Sequence, residues 1–439
     1  MAYAADPFVR AAAAGLCVGR MAARAALAGL GEEAGGMTTQ TIGARAADRG
    51  LAAPVEIADD LFGDIVLADR DAHFADWREQ AAVVYLPTNQ LWAITRFGPI
   101  KAALSDPSTF SSAKPTFNNF MNASLQGTAL ASDPPEHSAL RKVLAGNLSP
   151  RVLRVRQDSI TEHAEELVGA AVTAGGFDAA KLAGEFHARV ITELIGIPRQ
   201  LRARMVPWGE AALNLFGPFN QRTMRHFVIA GDLVAWAKNV TPEELTEGSI
   251  GRAVFEAADR GEIPRESCSS LIHQYVAAGI DTAVASLGNV IGHLGAHSDQ
   301  FELLRSDPSL TAAAFTESLR LESPIHAMGR LVTRDVEIEG TLVPAGAHVA
   351  LLFPAANRDP RQYVDPDRYV VARNPLDHLS FGHGVHTCAG VGLVRMEAEA
   401  LLQTLVRSVS ALTIGPGRRK LSNLVSSWGR LPVTVTASA

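Results

Sequence analysis

Apolar positions recur at helical spacing through most of the chain, in long runs separated by short turns. Ser159 to Thr173, Phe186 to Leu194, Arg202 to Phe216, Ser267 to His297 and Val391 to Leu405 all read as helices. Strand-like pieces are short and fall in two places. Val83 to Tyr85 and Leu91 to Ile94 flank the turn Pro87-Thr88-Asn89-Gln90, and Arg330 to Ile338 and Val349 to Phe353 bracket Gly340 and Pro344-Ala345-Gly346. The pattern does not repeat as strand–helix–strand, and no glycine-rich phosphate loop follows a strand. It predicts a mainly α protein with small sheets.

The chain has 439 residues, 47% of them hydrophobic and 20% charged, which is enough for a large core. Such a length could hold two or three domains. No Pro, Gly or Ser tract divides the sequence after residue 55, so residues 51–439 read as one domain. Residues 1–50 are rich in Ala and Arg and poor in aromatics. That composition imitates a transit peptide, but a flexible leader, with Met37 as an internal start, is the simpler reading. A net charge of −6 argues against nucleic acid. Cys17, Cys268 and Cys388 make no disulfide framework and suit a reducing cytoplasm. The most membrane-like stretch, Ala11 to Leu30, is broken by Arg20, Arg24 and glycines, so no bilayer span is expected.

The chemistry centres on Phe381-Gly382-His383-Gly384-Val385-His386-Thr387-Cys388-Ala389-Gly390. One cysteine sits in a turn built around three glycines, which let a backbone pass close to something large and flat. The helix that follows puts the sulfur near a helix N-terminus, where the dipole favours thiolate. A lone cysteine is more often a small buried hydrophobe. A zinc pair with His386 would need further ligands, and the other cysteines are isolated. Three further sets stand out. Glu317-x-x-Arg320 and His137-x-x-x-Arg141 each share one helix face, as many surface pairs do. Ala278-Gly279-Ile280-Asp281-Thr282 places an acid and a hydroxyl inside an apolar helix, where the glycine costs about 1 kcal/mol against alanine. The bland reading of Thr282 is a hydroxyl bonded back to a helix carbonyl.

The cysteine run resembles the haem-thiolate signature Phe-Gly-x-Gly-x-His-x-Cys-x-Gly of the cytochrome P450 family. Phe381, Gly382, Gly384, His386, Cys388 and Gly390 fill its fixed positions. The other sets occur in the family's order, and the likeness runs from about residue 55 to 437. It implies the P450 fold: one large helical domain with small sheets enclosing haem b, with Cys388 as axial thiolate. His137, Arg141, Arg330 and His386 are implied as propionate partners, and Ala278 and Gly279 as the distal haem contact. Gly279 is implied to let the helix widen, while Asp281 and Thr282 handle protons. Glu317 and Arg320 are implied to buttress the cysteine loop, with Arg368 as their third member.

The same likeness implies an oxidoreductase: a monooxygenase that places one atom of O2 into a C–H bond, by hydroxylation or O-demethylation. No flavin or nicotinamide motif is present, so electrons are expected from a ferredoxin with its reductase. Lys142, Arg151, Arg154 and Arg395 could steer such an acidic partner. A cytoplasmic monomer, bound neither to membrane nor to nucleic acid, completes the expectation. A peroxide-driven peroxygenase and a non-catalytic haem sensor are the rivals; Asp281-Thr282 argues against the first, and Thr282 with the apolar pocket counts against the second. Leu215-Phe216-Gly217-Pro218 and Asn357-Arg358-Asp359-Pro360-Arg361 resemble the bacterial branch that oxidises para-substituted benzoates. Phe117, Leu213, Phe216, His273, Gln274, Ala277, Met328 and Val425 are the implied substrate wall. His273, Gln274 and Ala277 stand where that branch has an arginine and serines, and Ala113 or Lys114 replaces a second arginine. These residues depart from simple benzoate recognition, while His273, Gln274 and Lys114 could hold a phenol, a methoxyphenol or an acid of different shape.

Overall fold

The computed structural model describes residue 43 and residues 45–438. The leader expected over residues 1–50 lies almost wholly outside them. Residues 45–47 are helical, and Val55–Ala439 forms one compact unit.

That unit is mainly helical, as the periodicity predicts. The helices that position the site are α1 (Phe97–Ser105), α2 (Asn119–Ser124), α3 (Glu136–Gly146), α4 (Ala179–Ile195), α5 (Met205–Asn214), α6 (Gln221–Asn239), α7 (Ser267–Ala296), α8 (Thr311–Leu321) and α9 (Val391–Ser408). Their ends obey local chemistry. Asp178 caps α4 through Ala180 N–H, and Gly196, in the left-handed region at φ +83°, ends it. The run Arg202 to Phe216 does not form one helix. A 3-10 turn over Arg199–Arg204 precedes α5. Pro207, which has no N–H, thereby sits in the first turn of α5, where that N–H would lack a helical partner anyway.

The largest sheet has six strands. It holds β1 (Val55–Glu56), β2 (Val83–Leu86), β3 (Leu91–Ile94), β4 (Phe110–Ser111), β5 (Met328–Val332) and β8 (His348–Leu351), in the order β1-β2-β3-β8-β5-β4. The expected strand Arg330 to Ile338 is two. Its second part, β6 (Val336–Ile338), leaves the sheet and forms a hairpin with β7 (Thr341–Val343). Glu339 at φ +45° and Gly340 at φ +81° make the tight two-residue turn this needs.

Buried apolar residues fall into separate clusters. The larger packs α4, α7, α8 and α9 around Phe186, Ile280, Leu287, Phe315 and Leu401. A second gathers Phe117, Leu213, Phe216, Ala285, Ala327 and Val425. Helix α7 feeds both, which is why it is apolar nearly all round. Its length and hydropathy would suffice to cross a bilayer, which the sequence reading overlooked. Most of that stretch, 83%, is buried inside the protein, as in a core helix.

Candidate haem-thiolate site

The cysteine loop is held by its own backbone. Gly382 N–H donates to Leu379 O, and Cys388 N–H donates to Phe381 O, both at 2.8 Å. Gly382 and Gly384 have φ of +69° and +71°. A Cβ on Gly384 would also stand 2.5 Å from the Leu104 carbonyl of α1, so this glycine answers a protein neighbour. Gly390 N–H reaches the Cys388 sulfur at 3.3 Å. The sulfur is exposed, yet the protein around it pushes the thiol pKa up, against the pull of Gly390 N–H and of Arg141. The surrounding protein thus disfavours the charged sulfur, while the helix start and Arg141 favour it.

Behind the loop, Glu317 and Arg320 are fully buried and form two parallel bonds of 2.8 Å. Arg320 also donates to the carbonyls of Asn357 (2.9 Å) and Pro366 (2.6 Å). The third member is not the side chain of Arg368, which is 75% exposed and lies 3.7 Å from Asp365. Arg368 offers only its carbonyl to Arg320. Arg373 is the partner, its Nε donating to Glu317 at 3.0 Å. Asn357, which the sequence reading left without a role here, carries the support to the loop. Its amide donates to Ser323 and Ser380 and accepts from Leu379 N–H, and Ser380 Oγ donates to Leu319 O of α8. The residues before Phe381 are thereby fixed to α8.

The expected propionate partners converge. The rings of His137 and His386 lie 4.3 Å apart. Among the described residues, His137 Nε2, His386 Nε2 and Ser112 Oγ are buried without a hydrogen-bond partner. Burial lowers the pKa of both imidazoles, pushing His386 down to about 3 with help from Arg330, His137 and Arg141. Arg330 donates to its neighbour Gly329 O, and burial pulls its pKa to about 10, with Asp133 opposing. Arg141 donates to the Thr387 carbonyl, which puts it on the cysteine loop itself. Among the described residues no carboxylate forms an ion pair with the buried Arg330 guanidinium, Asp133 acting on it only from a distance, and unsatisfied polar atoms lie beside it. Two carboxylates, as on haem, fit it, and Cys388 would bind the iron. Ser112 joins this set. A serine after a two-residue strand carries no signal in sequence.

Across from the loop, α7 turns Ala278, Gly279 and Thr282 away from the core, while Asp281 is buried. The helix runs continuously from Ser267 to Ala296, so the widening expected at Gly279 is not seen. Instead Thr282 Oγ donates back to Ala278 O at 2.9 Å, the bland reading of that residue. Burial raises Asp281 to about 6, opposed by Lys420 and reinforced by Glu210. Among the described residues its Oδ2 has no partner. It borders a cavity of about 330 Å³ that Arg202, Lys420 and Ser427 also line.

Phe117, Leu213, Phe216 and Val425 do come together, with Met328 packed against them. His273 and Gln274 do not join that cluster, and Ala277 belongs to the larger core. Gln274 donates to Ser270 on its own helix. Burial pushes His273 down to about 4, so its imidazole is neutral.

A family profile for cytochrome P450 matches residues 263–424. Cytochrome p450 CYP199A2 of Rhodopseudomonas palustris is 33% identical over 367 residues, 82% of this chain and 89% of the relative. Vitamin D(3) 25-hydroxylase of Pseudonocardia autotrophica is 29% identical, across 86% and 96% of the two chains. The structure of CYP268A2 from Mycobacterium marinum in complex with pseudoionone superposes with a TM-score of 0.78 at 25% identity, over 87% of this chain and 99% of that one. With the cysteine loop, its buttress and the converging anion partners, these similarities decide the matter: the chain belongs to the cytochrome P450 family of monooxygenases, in which a cysteine thiolate holds the haem iron.

Proposed function

We propose that this monooxygenase oxidises a small aromatic substrate, by hydroxylation or by O-demethylation, with electrons from a separate ferredoxin and its reductase. Substrate C–H, O2, two electrons and two protons give an alcohol and water. When the carbon already bears oxygen, the product splits into an alcohol and an aldehyde. The haem expected here is haem b, and when bound it supplies the oxygen chemistry.

The chain's own residues do the rest. Phe117, Leu213, Phe216, Met328 and Val425 offer an apolar, partly aromatic wall that excludes water. The observation that carries the substrate class is this cluster, where Phe117 and Phe216 meet Leu213 and Val425. His273 stands outside it, half-buried and with its pKa lowered to about 4 by desolvation, so it brings no positive charge for a carboxylate. Asp281, titrating near 6, can both gain and lose a proton at working pH. The cavity it borders is roomy enough for water, and Arg202, Lys420 and Ser427 give that water polar partners in a lining otherwise largely apolar. The Thr282 hydroxyl rests on Ala278 O and can turn by one rotamer step to carry a proton onward.

Arg395 lies over the Phe381 ring at 5.7 Å, and Leu153, between Arg151 and Arg154, packs near Gly392 of α9. All three arginines and Lys142 are exposed, which supports the cysteine face as the ferredoxin's landing surface. A cytoplasmic monomer is part of the same reading.

The test is a spectral titration with phenols, methoxyphenols, aromatic acids, terpenes and fatty acids, followed by turnover. Phenols or methoxyphenols should shift the haem from low to high spin and be turned over with ferredoxin and reductase. A shift by fatty acids alone, or turnover with peroxide alone, would overturn the proposal.

A further inference from the structure

Two buried asparagines hold the segment between α5 and α6. Asn423 is 1% exposed. Its amide nitrogen donates to Asn214 O (2.9 Å), Thr223 Oγ (3.0 Å) and Asn220 Oδ1 (3.1 Å). Its amide oxygen accepts from Asn220 Nδ2 (2.7 Å) and from Arg222 Nε (3.0 Å). Its backbone N–H donates to Asn214 Oδ1 at 3.0 Å. Asn220 and Asn423 thus exchange bonds amide to amide, while Asn220 also caps α6 through Thr223 N–H. From the other side Asn118, the cap of α2, donates to Leu215 O (2.7 Å) and Gly217 O (2.6 Å). Phe117 N–H donates to Phe216 O at 2.7 Å. The fit is close: a Cβ on Gly217 would stand 2.5 Å from Asn423. Arg222 extends the clamp to Asp64 and to the Phe62 carbonyl.

The residues so held are the wall's own. Phe216 lies in the clamped segment, Leu213 precedes Asn214 at the end of α5, Phe117 adjoins Asn118, and Leu424 and Val425 follow Asn423. Three of the wall's four stretches of chain are thus bound here, and apolar contacts alone let such stretches slide. Directional bonds from buried amides do not, because each broken one leaves a buried group unsatisfied.

We infer that Asn423, with Asn118, is a specificity-determining positioning residue: it fixes the wall's shape and so limits the size of substrate admitted. This rests on the reading that the Phe117–Phe216–Val425 cluster faces the substrate.

The test uses the haem-loaded full chain and Asn423→Asp, which keeps the shape and the acceptor but removes both N–H donors and sets a carboxylate oxygen against the Asn214 carbonyl. Asn118→Ser is an independent second variant, should the first fail to fold. Amide exchange over residues 214–223 should quicken by about tenfold or more if the clamp governs local opening. Spin-state titrations would use methoxybenzene and the bulkier 2-methoxynaphthalene. The unaltered chain should prefer methoxybenzene. The variants should bind both, with KM for the bulkier compound falling several-fold and kcat for the smaller little changed. Unchanged exchange in both variants would overturn the clamp. Faster exchange with unchanged selection between the two compounds would overturn its role in specificity. If neither compound shifts the spin state of the unaltered chain, the aromatic reading fails instead, and the exchange rates alone decide the clamp.

Discussion

Two buried polar regions flank the haem site, and they are built on opposite principles. Around Glu317 and Arg320 the charges are matched inside the chain: each carboxylate oxygen has a donor and each arginine a carbonyl or carboxylate. Around Arg330, His137 and His386, and again at Asp281, polar atoms are buried without partners among the described residues. Unsatisfied burial costs free energy; it recurs elsewhere, at His187 and His293 for example, but in this second region it falls where an external group would fit. The first region is scaffold; the second is chemistry.

The sharpest way to break this contrast is to unbalance the scaffold. Glu317→Ala strands Arg320 in the interior and leaves Arg373 without its carboxylate. Losing one partner of a buried pair should cost about 3–5 kcal/mol. Denaturant unfolding would read it, and the variant should also lose haem on dilution. A cost under about 1 kcal/mol would mean that the pair does not hold the loop.

Asp281→Asn should do the reverse, stabilising the fold while harming turnover. The folded carboxyl titrates near 6, against an ordinary value of 3.8. Below 3.8 the carboxyl is neutral whether folded or not, and it costs nothing. As pH rises toward 6 the unfolded chain ionises while the folded one cannot, so stability falls; above 6 the loss is complete. The shift corresponds to about 3 kcal/mol. The variant never ionises, so its advantage over the parent should grow by up to that amount between pH 4 and 7. Product formed per electron pair should drop by roughly 10²-fold, the low end for a lost proton-transfer group. Stability gained without lost coupling would return Asp281 to the scaffold.

The sequence showed these regions unequally, for physical reasons. The cysteine loop was legible because each of its demands is local: positive φ at Gly382 and Gly384, and a sulfur beside a helix start. Helix α7 was legible because a helix buried all round leaves a long apolar record. Where pairing joins distant segments, spacing fails. Nothing local tells a reader that Ser112 ends beside the propionate partners, or that Asn423 meets Asn220 amide to amide. The thiol is a related case: the dipole can be read from the neighbouring helix, but the surroundings that push its pKa up come from the whole fold.

The smallest expected effect separates two arginines that look alike in sequence. Arg368 and Arg373 lie in the same loop, and either could complete the pair behind the haem. Arg373 donates to Glu317 and also to the carbonyls of Val364 and Asp365. Arg368 turns its side chain to solvent and gives Arg320 only a carbonyl, which any residue supplies. Arg373→Ala should therefore cost about 1–3 kcal/mol, for it removes a charged hydrogen bond from a buried carboxylate. Arg368→Ala should stay within about 0.5 kcal/mol of the parent, as surface substitutions do. Paired unfolding curves would check both, and equal costs would erase the distinction between a residue that holds the loop and one that merely lies in it.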